Sequence, residues 1–102
     1  MKLIINSQYL QQGIARALNN KPISVDVTPE KILFNCLGVT CEVEIHKSSV
    51  KDPEEFNVAF DFIQWQRILK LTNLIPEQPI ILDINEYEDG LRIEINGMCA
   101  IF

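Results

Sequence analysis

Apolar residues recur along this chain with two periods that alternate in a fixed order. Lys2–Asn6 is a short aliphatic run of strand type. The period then lengthens. Leu10, Ile14, Ala17 and Leu18 stand at i, i+4, i+7 and i+8, which is one face of a helix. Ser7 is its expected N-cap, because a serine hydroxyl accepts a first-turn N–H. Asn19-Asn20-Lys21-Pro22 ends it, since Pro cannot continue a helix. Alternation follows. Ile23, Val25 and Val27 interleave with Ser24, Asp26 and Thr28, and beyond a turn at Thr28-Pro29-Glu30 come Ile32, Phe34 and Cys36. After Leu37-Gly38, the residues Val39, Cys41, Val43 and Ile45 interleave with Thr40, Glu42, Glu44 and His46, which predicts a strand with one buried and one wet face.

Residues 46–55 are polar and carry no period, so they read as a connector. The pattern then restarts. Phe56, Val58 and Phe60 alternate as a strand. Asp61 can cap a second helix, with Gln64 at capping-box spacing. Trp65, Ile68, Leu69 and Thr72 share that helix's apolar face, and Pro76 and Pro79 close it. Ile80, Leu82 and Ile84 predict a strand, Glu88-Asp89-Gly90 a turn, and Leu91, Ile93 and Ile95 another strand. Asn96-Gly97 is a two-residue hairpin signal, because a type I′ turn needs positive φ at both central residues. Residues 98–102 form the last strand. The order is β-α-β-β-β twice over, in halves of about 1–46 and 55–102. Eight short strands and two helices make a single α+β domain spanning 1–102. A pseudo-two-fold between the halves sets both helices side by side on one face of an antiparallel sheet.

Composition adds a bound and a complication. At 102 residues with 47% hydrophobic content, the chain has material for one ordinary core. No apolar run approaches the roughly 18 residues of a membrane helix. The opening residues are too short for a signal peptide. Three cysteines then read as reduced thiols, and a cytoplasmic location is expected. The formal charge of −5 argues against a simple basic nucleic-acid binder. Its distribution qualifies that. Residues 7–21 hold Arg16 and Lys21 without an acid, residues 62–75 hold Arg67 and Lys70 without an acid, and all 14 acids lie elsewhere. Gln8, Gln12, Arg16 and Asn19 fall opposite the Leu10/Ile14 face, and Arg67 and Lys70 share the outer face of the second helix. Acid-free faces rich in Gln and Asn can approach a phosphate backbone without repulsion. The same pattern also describes two solvated helix faces.

No arrangement suited to catalysis survives inspection. Cys36, Cys41, Cys99 and His46 have the ligand types of a zinc site, but Cys41 and His46 lie five apart on one strand and so point to opposite faces. Buried thiols are the ordinary state of such cysteines. His46, the one histidine, sits at an exposed strand end. Glu42 and Glu44 read as a wet strand face. Asn85-Glu86-Tyr87-Glu88-Asp89-Gly90 fails the calcium-loop pattern at its third and twelfth positions. Trp65 belongs with Ile68 and Leu69 on a core-facing stripe. The expectation is a protein that is not an enzyme and uses no metal or cofactor.

Three stretches resemble the DNA sliding clamps, the family of the bacterial polymerase III beta subunit and PCNA. They are Met1-Lys2-Leu3-Ile4-Ile5-Asn6-Ser7-Gln8-Tyr9-Leu10, the strand-into-helix segment 56–71 with Trp65, Ile68, Lys70 and Leu71, and the three-strand finish 80–102 with Gly90 and Gly97 at its turns. The doubled β-α-β-β-β order is similar to one clamp domain along essentially the whole chain. The resemblance implies a DNA-clamp-like fold whose helices line a ring and meet double-stranded DNA electrostatically, without sequence preference. By position, Gln8, Gln12, Arg16, Asn19, Lys21, Arg67 and Lys70 would face that DNA. Clamp rings hold six such domains and this chain carries one, so the resemblance implies a homo-oligomer or assembly with other subunits. The uncharged segment Met98-Cys99-Ala100-Ile101-Phe102 has no Lys or Pro to guard a strand edge. Pairing of Met98, Ala100 and Phe102 with Val39, Cys41 and Val43 of a neighbour would resemble clamp assembly. Partners in replication or repair follow from the same likeness. A second reading is a small acidic interaction module, in which Glu42, Glu44, Glu86, Glu88 and Asp89 cover the basic surface of a nucleic-acid-binding protein.

Overall fold

A computed structural model describes residues 1–48, 55–84, 92–95 and 98–102. Among these described residues nine strands and two helices follow in the order β1 (Lys2–Asn6), α1 (Ser7–Leu18), β2 (Pro22–Val27), β3 (Lys31–Cys36), β4 (Val39–Glu44), β5 (Lys47–Ser48), β6 (Phe56–Ala59), α2 (Phe62–Leu74), β7 (Pro79–Asp83), β8 (Arg92–Ile95) and β9 (Met98–Ile101). The doubled order expected from the periodicity is present. The connector gains a short strand, β5, which pairs Lys47 with Ile4 and Ser48 with Leu3.

The strands do not form one sheet, as expected, but two. One runs β5-β1-β7-β8-β9 and the other β4-β3-β2-β6. Each half therefore lends its leading strand to the other half's sheet. β1 pairs with β7 from Lys2↔Asp83 to Asn6↔Pro79, and β6 pairs with β2 from Val27↔Phe56 to Ser24↔Ala59. Every pairing is antiparallel. A strand-helix-strand unit kept within one sheet would set its two strands parallel. Sending α1 and α2 across to the opposite sheet avoids that, and it interlocks the halves. β2 and β7 hold equivalent places, and both open on Pro-Ile and carry an aspartate fifth, at Asp26 and Asp83.

The inward strand residues share one core with the helices. Leu3, Ile5, Ile80, Leu82 and Ile93 come from one sheet, and Val25, Val27, Ile32, Phe34 and Val43 from the other. Leu10, Ile14 and Ala17 of α1 and Trp65 and Ile68 of α2 close it. Trp65 is 2% exposed. It meets Phe34 edge-on at 5.1 Å and stacks on Phe60 at 6.3 Å. Such pairs add roughly 0.5–1.5 kcal/mol beyond area burial. Thr72, also on the buried face, satisfies its hydroxyl by donating to the Leu69 carbonyl at 2.9 Å.

Several local expectations shift by a residue. Asn6, not Ser7, is the N-cap of α1, its Oδ1 accepting from the Gln8 and Tyr9 amides at 2.9 and 3.3 Å. Ser7 is buried in the first turn. Its hydroxyl donates to the Pro76 carbonyl and accepts from the Gln78 amide, which ties α1 to the segment leaving α2. Asp61 caps α2 through the Gln64 amide at 3.0 Å, but the Gln64 side chain donates to the Phe102 carbonyl instead of closing a capping box. At the end of α1, Asn20 Nδ2 donates to the Arg16 carbonyl and Lys21 takes φ 55°, a conformation few side chains favour. Pro79 opens β7 rather than closing α2. Ile23, expected inward, is 61% exposed because the ladder slips between Pro22 and Ser24, whereas its counterpart Ile80 is buried. The turns expected at Glu88-Asp89-Gly90 and Asn96-Gly97, with the acidic loop around Tyr87, lie outside the described residues.

Candidate nucleic-acid interface

The two helices lie side by side, the first turns of α1 against the last turns of α2. Gln11 Nε2 donates to Asn73 Oδ1 across the pair, and the Ser7 amide donates to the Gln78 carbonyl at 2.9 Å. Their buried faces are committed to the core and their outer faces turn to solvent, that of α2 exposing Phe62, Ile63 and Leu74 together with its polar residues. Gln8, Gln12, Arg16, Asn19, Lys21, Arg67 and Lys70 are each exposed. Arg16 stands in the last turn of α1, where a cation is favoured by the helix dipole. Among the described residues, Arg16, Lys21, Arg67 and Lys70 enter no ion pair; the two such pairs involve the Met1 amino group and Lys2. Four cations facing solvent are available to an anionic partner.

The tertiary structure also brings acids to the rim of this face, which the helix sequences alone did not reveal. Glu42 and Glu44 of β4 line one cleft with Tyr9, Gln12 and Arg16 of α1. Glu77 lines another with Gln8 and Gln11, and it accepts from Asn6 Nδ2 at 3.1 Å. The helix pair is thus a weakly basic strip bordered by carboxylates at the α1 end. Arg67 and Lys70 of α2 line neither of these clefts. The signal for the border was present in the alternation of Glu42 and Glu44, but not their placement beside α1.

The strands named for assembly are both outermost in their sheets. β4 ends one sheet and β9 ends the other. The side chains differ from what an edge contact would use. Cys41 and Val43 are 5% and 2% exposed and point into the core, Val39 and Ala100 are exposed, and Phe102 is half-buried. The side chain of Met98 lies outside the described set. What β4 presents sideways is therefore backbone together with Thr40, Glu42 and Glu44.

Two other groups of residues were candidates for chemistry. Cys36 and Cys41 are buried free thiols on neighbouring strands, and burial together with the adjacent Cys41 raises the Cys36 pKa. Cys99, expected to be buried like them, is exposed on β9 in the other sheet. Among the described residues, no three His, Cys, Asp or Glu side chains lie close enough to hold a metal ion. On the outer face of the β4-β3-β2-β6 sheet, Asp26 accepts from Asn35 Nδ2 at 2.8 Å and from Asn57 Nδ2 at 2.6 Å. These bonds, Asn35 foremost, hold the Asp26 carboxyl below the usual aspartate range. The amides reach it from β3 and β6, one on each side, so the cluster stitches three strands together.

These features define a small α+β domain of two helices and two antiparallel sheets. No helix among the described residues is long and apolar enough to cross a membrane. Comparison with protein-family models, with curated proteins and with solved structures finds no match.

Proposed function

We propose that this chain is a non-enzymatic, sliding-clamp-like domain. It binds or encircles double-stranded DNA without regard to sequence, assembles with further copies of itself through its outer strands, and serves replication or repair. One observation carries the reading. Two helices lie side by side on the surface, and between residues 7–21 and 62–75 they display no acid and four cations that enter no ion pair among the described residues, in a chain whose total is −5. Helices that carry cations and no acid, in a chain whose 14 acids all lie elsewhere, suit a surface that holds a phosphate backbone loosely. The sheet order supports the same reading, because β4 and β9 each stand outermost in a sheet, where a neighbour's strand can continue it.

Retention of a sequence-random duplex, measured across a salt series, tests it. Binding is expected at low salt and should fall steeply as salt rises. The double charge reversal Arg67→Glu/Lys70→Glu should lower the slope of log K against log salt by about 2, at roughly 0.9 per phosphate contact. A solution mass that stays monomeric, with no retention of duplex at low salt, would overturn the proposal. The second reading, an acidic module that covers a basic protein surface, is favoured by Glu42 and Glu44, which stand exposed at the outermost strand.

A further inference from the structure

We infer that the open edge of β4, where α1 overhangs it, is a docking groove for an extended basic peptide that joins the sheet as an added strand. The inference does not rest on the DNA reading, although the groove shares Gln12 and Arg16 with the helix face and its strand edge with the assembly proposed through β4. Among the described residues β4 pairs only with β3. The register says which groups are left over. The Ile45 amide donates to the Glu30 carbonyl at 3.1 Å, next to the pair Glu44↔Lys31. In an antiparallel ladder, hydrogen-bonded residues recur every second position. Cys41 and Val43 therefore turn their amides and carbonyls toward β3, while Thr40, Glu42 and Glu44 turn theirs outward. A row of donors and acceptors at two-residue spacing is what an incoming strand requires.

The edge is walled as well as open. Two clefts of about 400 and 380 Å³ adjoin along it and share Tyr9 and Glu44. One continues to Gln12, Arg16 and Glu42, and the other to His46 over a floor that includes Ile4 and Ile45. Gly13 makes the overhang close, since a Cβ there would stand 2.2 Å from Val43 Cγ2. The result is a trough with strand edge on one side and helix on the other.

Charge selects the occupant. Glu42 faces Leu33 across the ladder and so has no cation opposite. Glu44 faces Lys31 and Arg16 of α1 lines the same cleft, yet among the described residues neither glutamate enters an ion pair. An added strand lays alternate side chains beside Glu42 and Glu44 on the outer face of the sheet, and turns the intervening ones toward the half-buried Ile4 and Ile45. The matching sequence alternates Lys or Arg with apolar residues. β9 of a second copy offers Cys99, Ala100 and Ile101, with no cation for either glutamate. A basic peptide and a second copy exclude one another at this edge, so peptide occupancy also governs self-assembly through it.

Fluorescence anisotropy with a labelled short peptide alternating lysine and valine tests the inference. Saturable binding is expected. The variant Glu42→Gln/Glu44→Gln, which leaves the core untouched, should weaken it about three- to ten-fold, as two exposed ion pairs allow. The same peptide with alternate backbone nitrogens methylated keeps its charge but cannot pair along the ladder, and should not bind. Equal binding of the methylated peptide would show mere charge attraction and overturn the strand addition. So would binding that ignores the glutamine variant. Absence of binding in a chain that sedimentation shows to be oligomeric would assign the edge to another copy and overturn the peptide reading, as would absence of binding in a monomer.

Discussion

Replacing Gly13 by alanine pits helix propensity against tertiary packing. In an isolated helix the change would stabilise by about 1 kcal/mol, because glycine has more conformational freedom to lose. Here the added Cβ would lie 2.2 Å from Val43 Cγ2, with Phe34 Cε2 and Val43 Cβ each at 3.7 Å. Carbon atoms in contact sit about 3.5–4.0 Å apart, so the helix or the strand must move by more than 1 Å. Neither moves freely. Val43 is 2% exposed and β-branched, with few rotamers to escape into. α1 is held at its start by the Asn6 cap and by both hydrogen bonds of the Ser7 hydroxyl. Overpacking typically costs about 1–3 kcal/mol. A clash this deep belongs near the top of that range, so the expected net loss is about 1–2 kcal/mol. Val43→Ala alone should cost about 2 kcal/mol for two methyl groups and a partly collapsed cavity. In that background the new methyl at position 13 has room, and Gly13→Ala should stabilise by about 1 kcal/mol. The coupling in this double-mutant cycle is thus about 2–3 kcal/mol, read from urea unfolding of the four proteins at constant m. A Gly13→Ala protein more stable than wild type, or additive effects in the double variant, would refute the close-approach account. The same displacement would widen the trough between α1 and β4, so the cycle also bears on the peptide site.

Asp26 should give the stability curve an acid limb. Its folded pKa is depressed by Asn35 and Asn57, so its contribution is complete above the ordinary aspartate value of about 3.9 and drains away as pH falls through the lower folded value. Asn57→Ala should shrink that limb while leaving the neutral-pH thiol reactivity unchanged; an identical acid profile would remove the carboxylate's role. Cysteine alkylation of the native protein should modify Cys99 first and spare Cys36 and Cys41, which are buried, with the Cys36 thiolate further disfavoured by its raised pKa. Equal labelling of all three under native conditions would contradict the packing of β3 and β4.

Much of the element order was legible because it rests on local periodicity. The inward set Val25, Val27, Ile32, Phe34 of the strands and Leu10, Ile14, Ala17 of α1 follow from periods of two and 3.6, and all are buried. Asp61 announced α2 for a similarly local reason, a carboxylate placed to accept the Gln64 amide. The displaced cap at Asn6 shows the limit of such signals. Asn6 and Ser7 are both good caps, and the choice fell to Asn6 because distant partners, Pro76 and Gln78, claim the Ser7 hydroxyl. The bulge that turns Ile23 outward is likewise a matter of partner strands.

Of the candidate site, the sequence by itself determined that the two helices carry cations and no acid, a property of composition along the chain. It determined too that Glu42 and Glu44 lie on a wet strand face. Only the tertiary structure decided that each half exchanges its first strand with the other, that β4 ends outermost, and that its glutamates come to rest beside Arg16. The physical reason is that strands of one periodicity are interchangeable until hydrogen-bond partners are chosen, and those partners here lie as far apart as β1 and β7. A helix face can be read from its own residues, but the charges that border it arrive from other elements.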